Sequence, residues 1–284
     1  MMNKSSNIRK AIFSILIFAS VAVVANGSYG ASPAENKSSA KIKKSEWKLI
    51  FEDNFNKDGK PNPEVWSFPG RRPSFWCRYA TDLPEMAYVK GGSLHLIARN
   101  TPVDSDTVAF QTGAVTTRGK FDFRYGRVEI SAKFGHAQGA WPALWLMPTH
   151  NKYGGWPHSG EIDIMEHLNH ESQVYQTVHT TRTRAVATDG WVNSPSHITA
   201  PYKVGEFNTY AIEWSEDKID FFINGSKSFT YHKEKDGGHE QYPFDQDFYI
   251  ILNQALGGNW VGEIDPTDLP VSMEVDYVRV YQSK

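Results

Sequence analysis

One cysteine, Cys77, stands in a chain of 284 residues, which excludes an internal disulfide and leaves stability to the core. Cys77 also lies far from the N-terminus, so lipid attachment at a signal-peptide cysteine is excluded. An excess of either charge is missing too. A net charge of −2 gives no ground for expecting nucleic acid or an anionic membrane surface as partner. No segment sustains a 3.6-residue apolar period, and neither an internal repeat nor a second composition regime interrupts the chain. The one long apolar run, residues 11–25, falls short of the roughly 20 residues that a membrane-spanning helix needs, so no span is expected in the mature chain.

What is present begins with a positive start, Lys4, Arg9 and Lys10, followed by that apolar run and by small residues at Ala25, Gly27, Ser28 and Gly30. Residues 1–30 therefore read as a signal peptide of an exported protein, periplasmic or secreted. Residues 31–44 (ASPAENKSSAKIKK) are polar and basic, and read as a flexible leader. Residues 45–284 suit one large all-β domain. Short apolar or alternating runs recur at 47–51, 93–99, 127–134, 174–180, 209–214, 220–223, 248–253 and 273–281, separated by Gly, Pro, Asn and Asp. Asn224-Gly225 between two such runs predicts a type I′ hairpin, whose central residues need positive φ. The pattern predicts an antiparallel β-sandwich with one concave outer face. Of the nine Trp, thirteen Tyr and sixteen Phe some suit the core, and Trp, costly to leave exposed, also suits stacking on sugar rings.

The densest chemistry lies in Glu161-Ile162-Asp163-Ile164-Met165-Glu166, three carboxylates in six residues. On a strand Glu161 and Asp163 share a face and Glu166 faces away. One extra residue at Ile164–Met165, a β-bulge, would return Glu166 to the same face. Three acids on one concave face supply what retaining glycoside hydrolysis needs; the plainer alternative is a half-exposed strand whose acids meet water. Upstream, Trp141 and Trp145 share a strand parity, either packing in the core or lining a groove. A Gly-Gly turn delivers Trp156 just before Glu161. A metallohydrolase built from His158, Glu161, Asp163 and His167 is conceivable on residue types, but carboxylates dominate where catalytic zinc prefers histidine. His167 itself reads as an opposite-face residue without function.

Residues 139–148 (GAWPALWLMP) followed by 154–166 resemble the laminarinase-like retaining endo-β-glycosidases of glycoside hydrolase family 16. The resemblance extends over 120–129 (KFDFRYGRVE), 252–260 (LNQALGGNW) and 273–281, and carries the family's E-x-D-x-x-E pattern at Glu161, Asp163 and Glu166. It implies a jelly-roll β-sandwich with a substrate groove across its concave sheet, so that residues 45–284 form the catalytic domain. Carried over, Glu161 is the nucleophile, Glu166 the acid/base and Asp163 the residue assisting Glu161, with His179 near the point of cleavage. Trp141, Trp145, Trp156, Trp76, Arg72, Arg78, Gln254 and Trp260 are the candidate substrate-binding residues. No cofactor is required. Family members often hold a structural calcium, for which Asn54, Gly92 and Asp276 occupy the corresponding positions. Here Asn54 replaces the usual Glu, which weakens a hard-cation site.

The segment 70–80 (GRRPSFWCRYA) departs from the Trp-Gly-Asn-Asn-Glu type of laminarinases and is more similar to gut-bacterial members that cut host glycans. The expected activity is therefore internal cleavage of β-galactosyl linkages in mucin-type O-glycans or poly-N-acetyllactosamine, by a monomer acting on an oligo- or polysaccharide. An endo-β-1,3- or β-1,3(4)-glucanase is the alternative within the same mechanism. A transglycosylase would use the same acids, and a non-catalytic β-sandwich lectin is the alternative that would not need them.

Overall fold

Alternation of buried and exposed side chains runs through most of the chain, and the fold follows from where those buried faces meet. The computed structural model describes residues 47–184 and 196–284; the expected signal peptide and leader lie outside the described residues. The strands are β1 (Trp47–Asp53), β2 (Ala87–Lys90), β3 (Ser93–Asn100), β4 (Phe110–Thr112), β5 (Ala114–Thr116), β6 (Gly126–Phe134), β7 (Ala140–Pro148) and β8 (Glu161–Glu166). They continue with β9 (Gln173–His179), β10 (His197–Pro201), β11 (Asn208–Trp214), β12 (Lys218–Ile223), β13 (Ser226–His232), β14 (Phe248–Leu256) and β15 (Val271–Ser283). One sheet has the order β13-β12-β11-β6-β15-β3-β2, with β1 on β15 and β4 on β3. The other runs β10-β9-β8-β7-β14-β5. All the strand pairs are antiparallel, as the jelly-roll β-sandwich requires.

The core lies between the two sheets. Leu94 and Leu96 of β3, Val128 and Ile130 of β6, and Met273 and Val275 of β15 face Leu144, Leu146, Ile162, Val178, Ile250 and Leu252 from the other sheet. Each such side chain contributes about 1.5–3 kcal/mol on burial, which is how a chain without cross-links holds together. In β15 the inward parity passes from Val271, Met273 and Val275 to Val278 and Val280. The change falls at a register shift between Val275 and Tyr277, where one extra residue bends the strand. The hairpin at Asn224 (φ 50°) and Gly225 (φ 78°) joins β12 to β13 with both residues at positive φ, as their types predict.

The six-stranded sheet carries the candidate site on its outer face. Strand β14, between β7 and the short edge strand β5, is buried along all nine residues, with Phe248, Ile250 and Leu252 in the inter-sheet core. Tyr249 and Ile251 pack with Ala143 and Trp145 on the opposite face. Among the described residues no helix is long and apolar enough to cross a membrane.

Gly113, between β4 and β5, donates its N–H to the Ile97 carbonyl at 2.7 Å, and a Cβ there would stand 1.9 Å from the Met86 carbonyl oxygen. Gly113→Ala should therefore cost about 1–3 kcal/mol or more of stability through overpacking. Gly155→Ala, where a Cβ meets nothing within 4 Å, should leave the thermal midpoint in place. Equal midpoints for the two variants would show that the backbone around Gly113 yields.

Candidate active site

The acids sit on β8, and its pairing decides where they point. On the β7 side Trp145 pairs with Asp163 and Leu144 with Met165, so Ile164 has no partner. On the β9 side Asp163 pairs with Thr177 and Glu166 with Tyr175, three residues of β8 spanning two of β9. This is the expected bulge, and it brings Glu161, Asp163 and Glu166 into one cleft. Ile162, Ile164 and Met165 all enter the core, so the apolar side of the strand anchors the irregularity.

The cleft has a volume of about 830 Å³. Trp141, Ala143, Trp145 and Met147 of β7 form its floor with Asn253 of β14, and Tyr175, Thr177 and His179 of β9 continue it. Ala143, opposite Glu166 in the sheet, is a small residue between two tryptophans and leaves open floor. Loops supply the walls: Phe75 and Trp76 from a short 3-10 turn, Trp156 ahead of β8, and Trp260 after β14. Trp76 meets Trp145 at 84° with ring centroids 5.0 Å apart, and the Trp145 indole N–H donates to Asn253 Oδ1 at 2.7 Å. Trp260 stands edge-to-face with both Trp141 (5.7 Å) and Tyr175 (5.0 Å).

Asp163 is 1% and Glu166 7% exposed. Three carboxyls this close and this dry cannot all ionise. Burial first, then the charges of Asp163 and Glu161, push Glu166 well above the usual carboxylate range, while a hydrogen bond from Trp141 pulls the other way. Burial and the Asp163 charge push Glu161 up to about 8, against His179 and a hydrogen bond from Trp156. Burial raises Asp163 as well, and it hydrogen-bonds with Glu161. Glu161 and Asp163 thus share a proton, and His179 Nε2 lies 3.8 Å from Glu161 Oε1 and 3.3 Å from Asp163 Oδ2. The arrangement separates a proton-holding carboxyl, Glu166, from a pair that carries negative charge between its members. Such a division supports acid/base and nucleophile roles.

Six of the predicted substrate-binding positions line the cleft: Trp141, Trp145, Trp156, Trp76, Trp260 and His179. Three do not. Gln254 is fully buried; it has the inward parity of β14, and its neighbour Asn253 takes the place facing the cleft. Arg78 stacks over Phe75 (5.0 Å) and Tyr79 (4.6 Å) and packs where a Cβ on Gly257 would meet its guanidinium at 2.6 Å, so it clamps the Trp76 turn from behind. Arg72 donates to the Pro69 carbonyl at 2.9 Å, three residues back along the same loop. Tyr175, Thr177 and Met147 were readable from parity with His179 and Trp145; Arg184 and His197, also in the lining, carried no sequence signal.

Glu161, Asp163 and His179 place their ligand-type atoms within 4.8 Å of one another, a spacing that a metal ion accepts. The other histidines of a metallohydrolase reading are elsewhere. His158 Nδ1 is 2.9 Å from Thr181 Oγ1, and buried His167 is bonded through Nε2 to the Glu171 carbonyl at 2.7 Å. For calcium, the side-chain oxygen of Asn54 accepts from the Arg279 guanidinium at 2.9 Å. A calcium there would draw on backbone carbonyls, with Asp276 the only carboxylate among Asn54, Gly92 and Asp276.

Comparison with known proteins agrees with this geometry. The sequence profile "Glycosyl hydrolases family 16" matches residues 82–279. A keratan-sulfate endo-1,4-β-galactosidase of Sphingobacterium multivorum is 43% identical over 238 residues, 84% of this chain and 56% of that protein; the chain thus spans little more than half of that relative. A mutant of a non-specific endo-β-1,3(4)-glucanase from family 16, crystallised with an oligosaccharide, superposes with a TM-score of 0.75 at 32% identity, covering 84% of this chain and 95% of that one. A structure described with endo-acting O-glycanases, which prominent human gut bacteria express to initiate mucin breakdown, superposes with a TM-score of 0.72. It is 32% identical and covers 84% of this chain and 100% of that one. The chain belongs to glycoside hydrolase family 16.

The raised carboxyls make a stability prediction whose sign is opposite to the usual one. A carboxyl with a folded-state pKa above its unfolded value keeps its proton on folding, so the folded form loses relative stability as pH rises from the unfolded pKa towards the folded one. Glu161, raised from 4.5 to about 8, opens a window between those values. Glu161→Gln should raise the thermal midpoint at pH 8, and the gain should shrink as pH falls towards 4. A gain independent of pH would remove the assignment of a desolvated, proton-sharing carboxyl.

Proposed function

We propose that this family 16 enzyme cleaves internal β-galactosyl linkages in mucin-type O-glycans or poly-N-acetyllactosamine, as an exported protein meeting glycans outside the cytoplasm. The observation that carries the reading is the Trp76 wall set at 84° against Trp145. With Trp145 itself 6% exposed and tied to Asn253, that end of the cleft presents an upright aromatic wall instead of a flat platform. A galactosyl ring, with O4 axial, keeps one face clear of hydroxyls, and this face suits an aromatic wall beside the floor. The likeness to the keratan-sulfate endo-β-galactosidase and to the O-glycanase structure supports the same choice. The likeness to an endo-β-1,3(4)-glucanase supports a glucan substrate as second reading.

The mechanism is a double displacement. With the shared proton on Asp163, a Glu161 oxygen attacks the anomeric carbon. The glycosidic bond breaks towards its oxygen, and that oxygen takes the proton from Glu166. Glu166, now a carboxylate, accepts a proton from the water that attacks the glycosyl-enzyme ester, and Glu161 leaves. His179, against both members of the Glu161–Asp163 pair, helps to hold negative charge there.

Parallel digests of laminarin, mixed-linkage β-glucan, poly-lactosamine of the keratan type and mucin O-glycans, read by mass spectrometry, test the substrate. Short internal fragments from the galactose-containing substrates alone are expected; laminari-oligosaccharides would make the chain a β-glucanase. The roles are tested separately. Glu166→Ala should lose about 10²–10⁴-fold in turnover, and Glu161→Ala should lose more, both with native circular dichroism. Added azide should yield a β-glycosyl azide with Glu166→Ala and the α-anomer with Glu161→Ala. Near-normal turnover in either variant would remove the mechanism.

A further inference from the structure

We propose that Trp141 is a positioning residue that fixes which oxygen of Glu166 carries the catalytic proton. The proposal rests on the reading of Glu166 as acid/base. The Trp141 indole N–H donates to Glu166 Oε1 at 3.0 Å, and an indole nitrogen can only donate. Oε1 is therefore an acceptor in every state of the carboxyl, and in the neutral acid the proton resides on Oε2. A carboxyl free to rotate would spend part of its time with the proton on the wrong oxygen; this one is held.

The holding group is itself held. Trp141 lies on β7 two residues from Ala143, the partner of Glu166 in the sheet, so its ring rises beside the carboxyl on the same face. Trp260 meets the Trp141 ring at 83° and Tyr175 at 73°, a three-ring wedge that crosses from the loop after β14 to β9. Reorienting the Trp141 ring would disturb both of these contacts.

The same bond differs between the two halves of the reaction. In the first displacement Glu166 gives its Oε2 proton to the departing glycosidic oxygen and is left as a carboxylate. A hydrogen bond to an ionised acceptor is roughly twice as strong as one to a neutral acceptor, so Trp141 stabilises Glu166 most in the state from which it must act as base. The bond opposes the burial and the two neighbouring charges that hold the proton on. Trp141 thus keeps Glu166 able to release its proton as well as to keep it.

The test is the pH profile of kcat/KM on whichever oligosaccharide the parent enzyme cleaves. Trp141→Phe removes the N–H and should move the basic limb up by about one pH unit, tenfold in proton affinity, with a fall in kcat. Because Phe also trims the stacking surface, a second variant places 3-benzothienylalanine at position 141, which keeps the bicyclic shape and replaces N–H with sulfur. It should show the same displaced limb with KM close to that of the parent. A basic limb unmoved in both variants would overturn the proposal, as would a shift in Trp141→Phe alone, which would assign the effect to lost packing. Glu166→Ala serves as the control: if it stays active, Glu166 is not the acid/base and the proposal falls with its premise.

Discussion

The unpaired Ile164 is the constraint on which the site depends. Without it, β8 would alternate strictly and turn Glu166 to the face of Ile162 and Ile164, into the apolar core between the sheets. With it, three residues of β8 span two of β9, and two consecutive apolar residues, Ile164 and Met165, take inward positions. The bulge is stable because both have somewhere apolar to go, each contributing about 1.5–3 kcal/mol on burial. The three acids are thus set by the packing on the other side of the strand. Rigid core and reactive face are two sides of the same six residues.

That arrangement is costly for the fold. Asp163 Oδ2 is buried with no hydrogen-bond partner, although His179 Nε2 lies 3.3 Å away, and burial raises the proton affinity of all three carboxyls. An unsatisfied buried acceptor costs about 1–3 kcal/mol, and the sandwich carries the penalty through its uninterrupted core. The same desolvation separates the acids into roles. Glu166, facing two carboxyl neighbours, keeps its proton, whereas Glu161 and Asp163 divide one between them and stay close to a nucleophile. Stability and reactivity are opposed here through a single physical cause, the exclusion of water.

Local patterns in the sequence were legible where one residue type admits one geometry. Asn224-Gly225 announces its turn because both residues tolerate positive φ. The odd spacing of Glu166 announces the bulge because strand parity is strict. Parity without a reference face is weaker, and this is why Gln254 stood in for Asn253: the two differ by one residue, and only pairing with β7 tells which side of β14 is outside. Arg72 and Arg78 misled for another reason. Long cationic side chains near an aromatic segment suit substrate and scaffold equally, and here Arg78 stacks on the turn that carries Trp76 while Arg72 bonds the Pro69 carbonyl upstream of it. The short strands β2, β4, β5 and β10 went unread because three to five residues cannot establish a period.

The walls of the cleft have a different origin from its floor, and this explains why the chain resembles both glucanases and galactose-directed enzymes. Acids, floor tryptophans and His179 all project from paired strands, whose register the core enforces. Trp76, Trp156 and Trp260 project from connections, where a change of sequence disturbs no ladder. A family can therefore keep one retaining mechanism while its loops exchange one sugar for another. In this chain the Trp76 turn is backed by Arg78, packed against Gly257, and leans on Trp145. On the galactosyl reading proposed above, selectivity would follow from how firmly that turn is held as much as from the ring it presents, because a wall that yields would admit glucose and galactose alike.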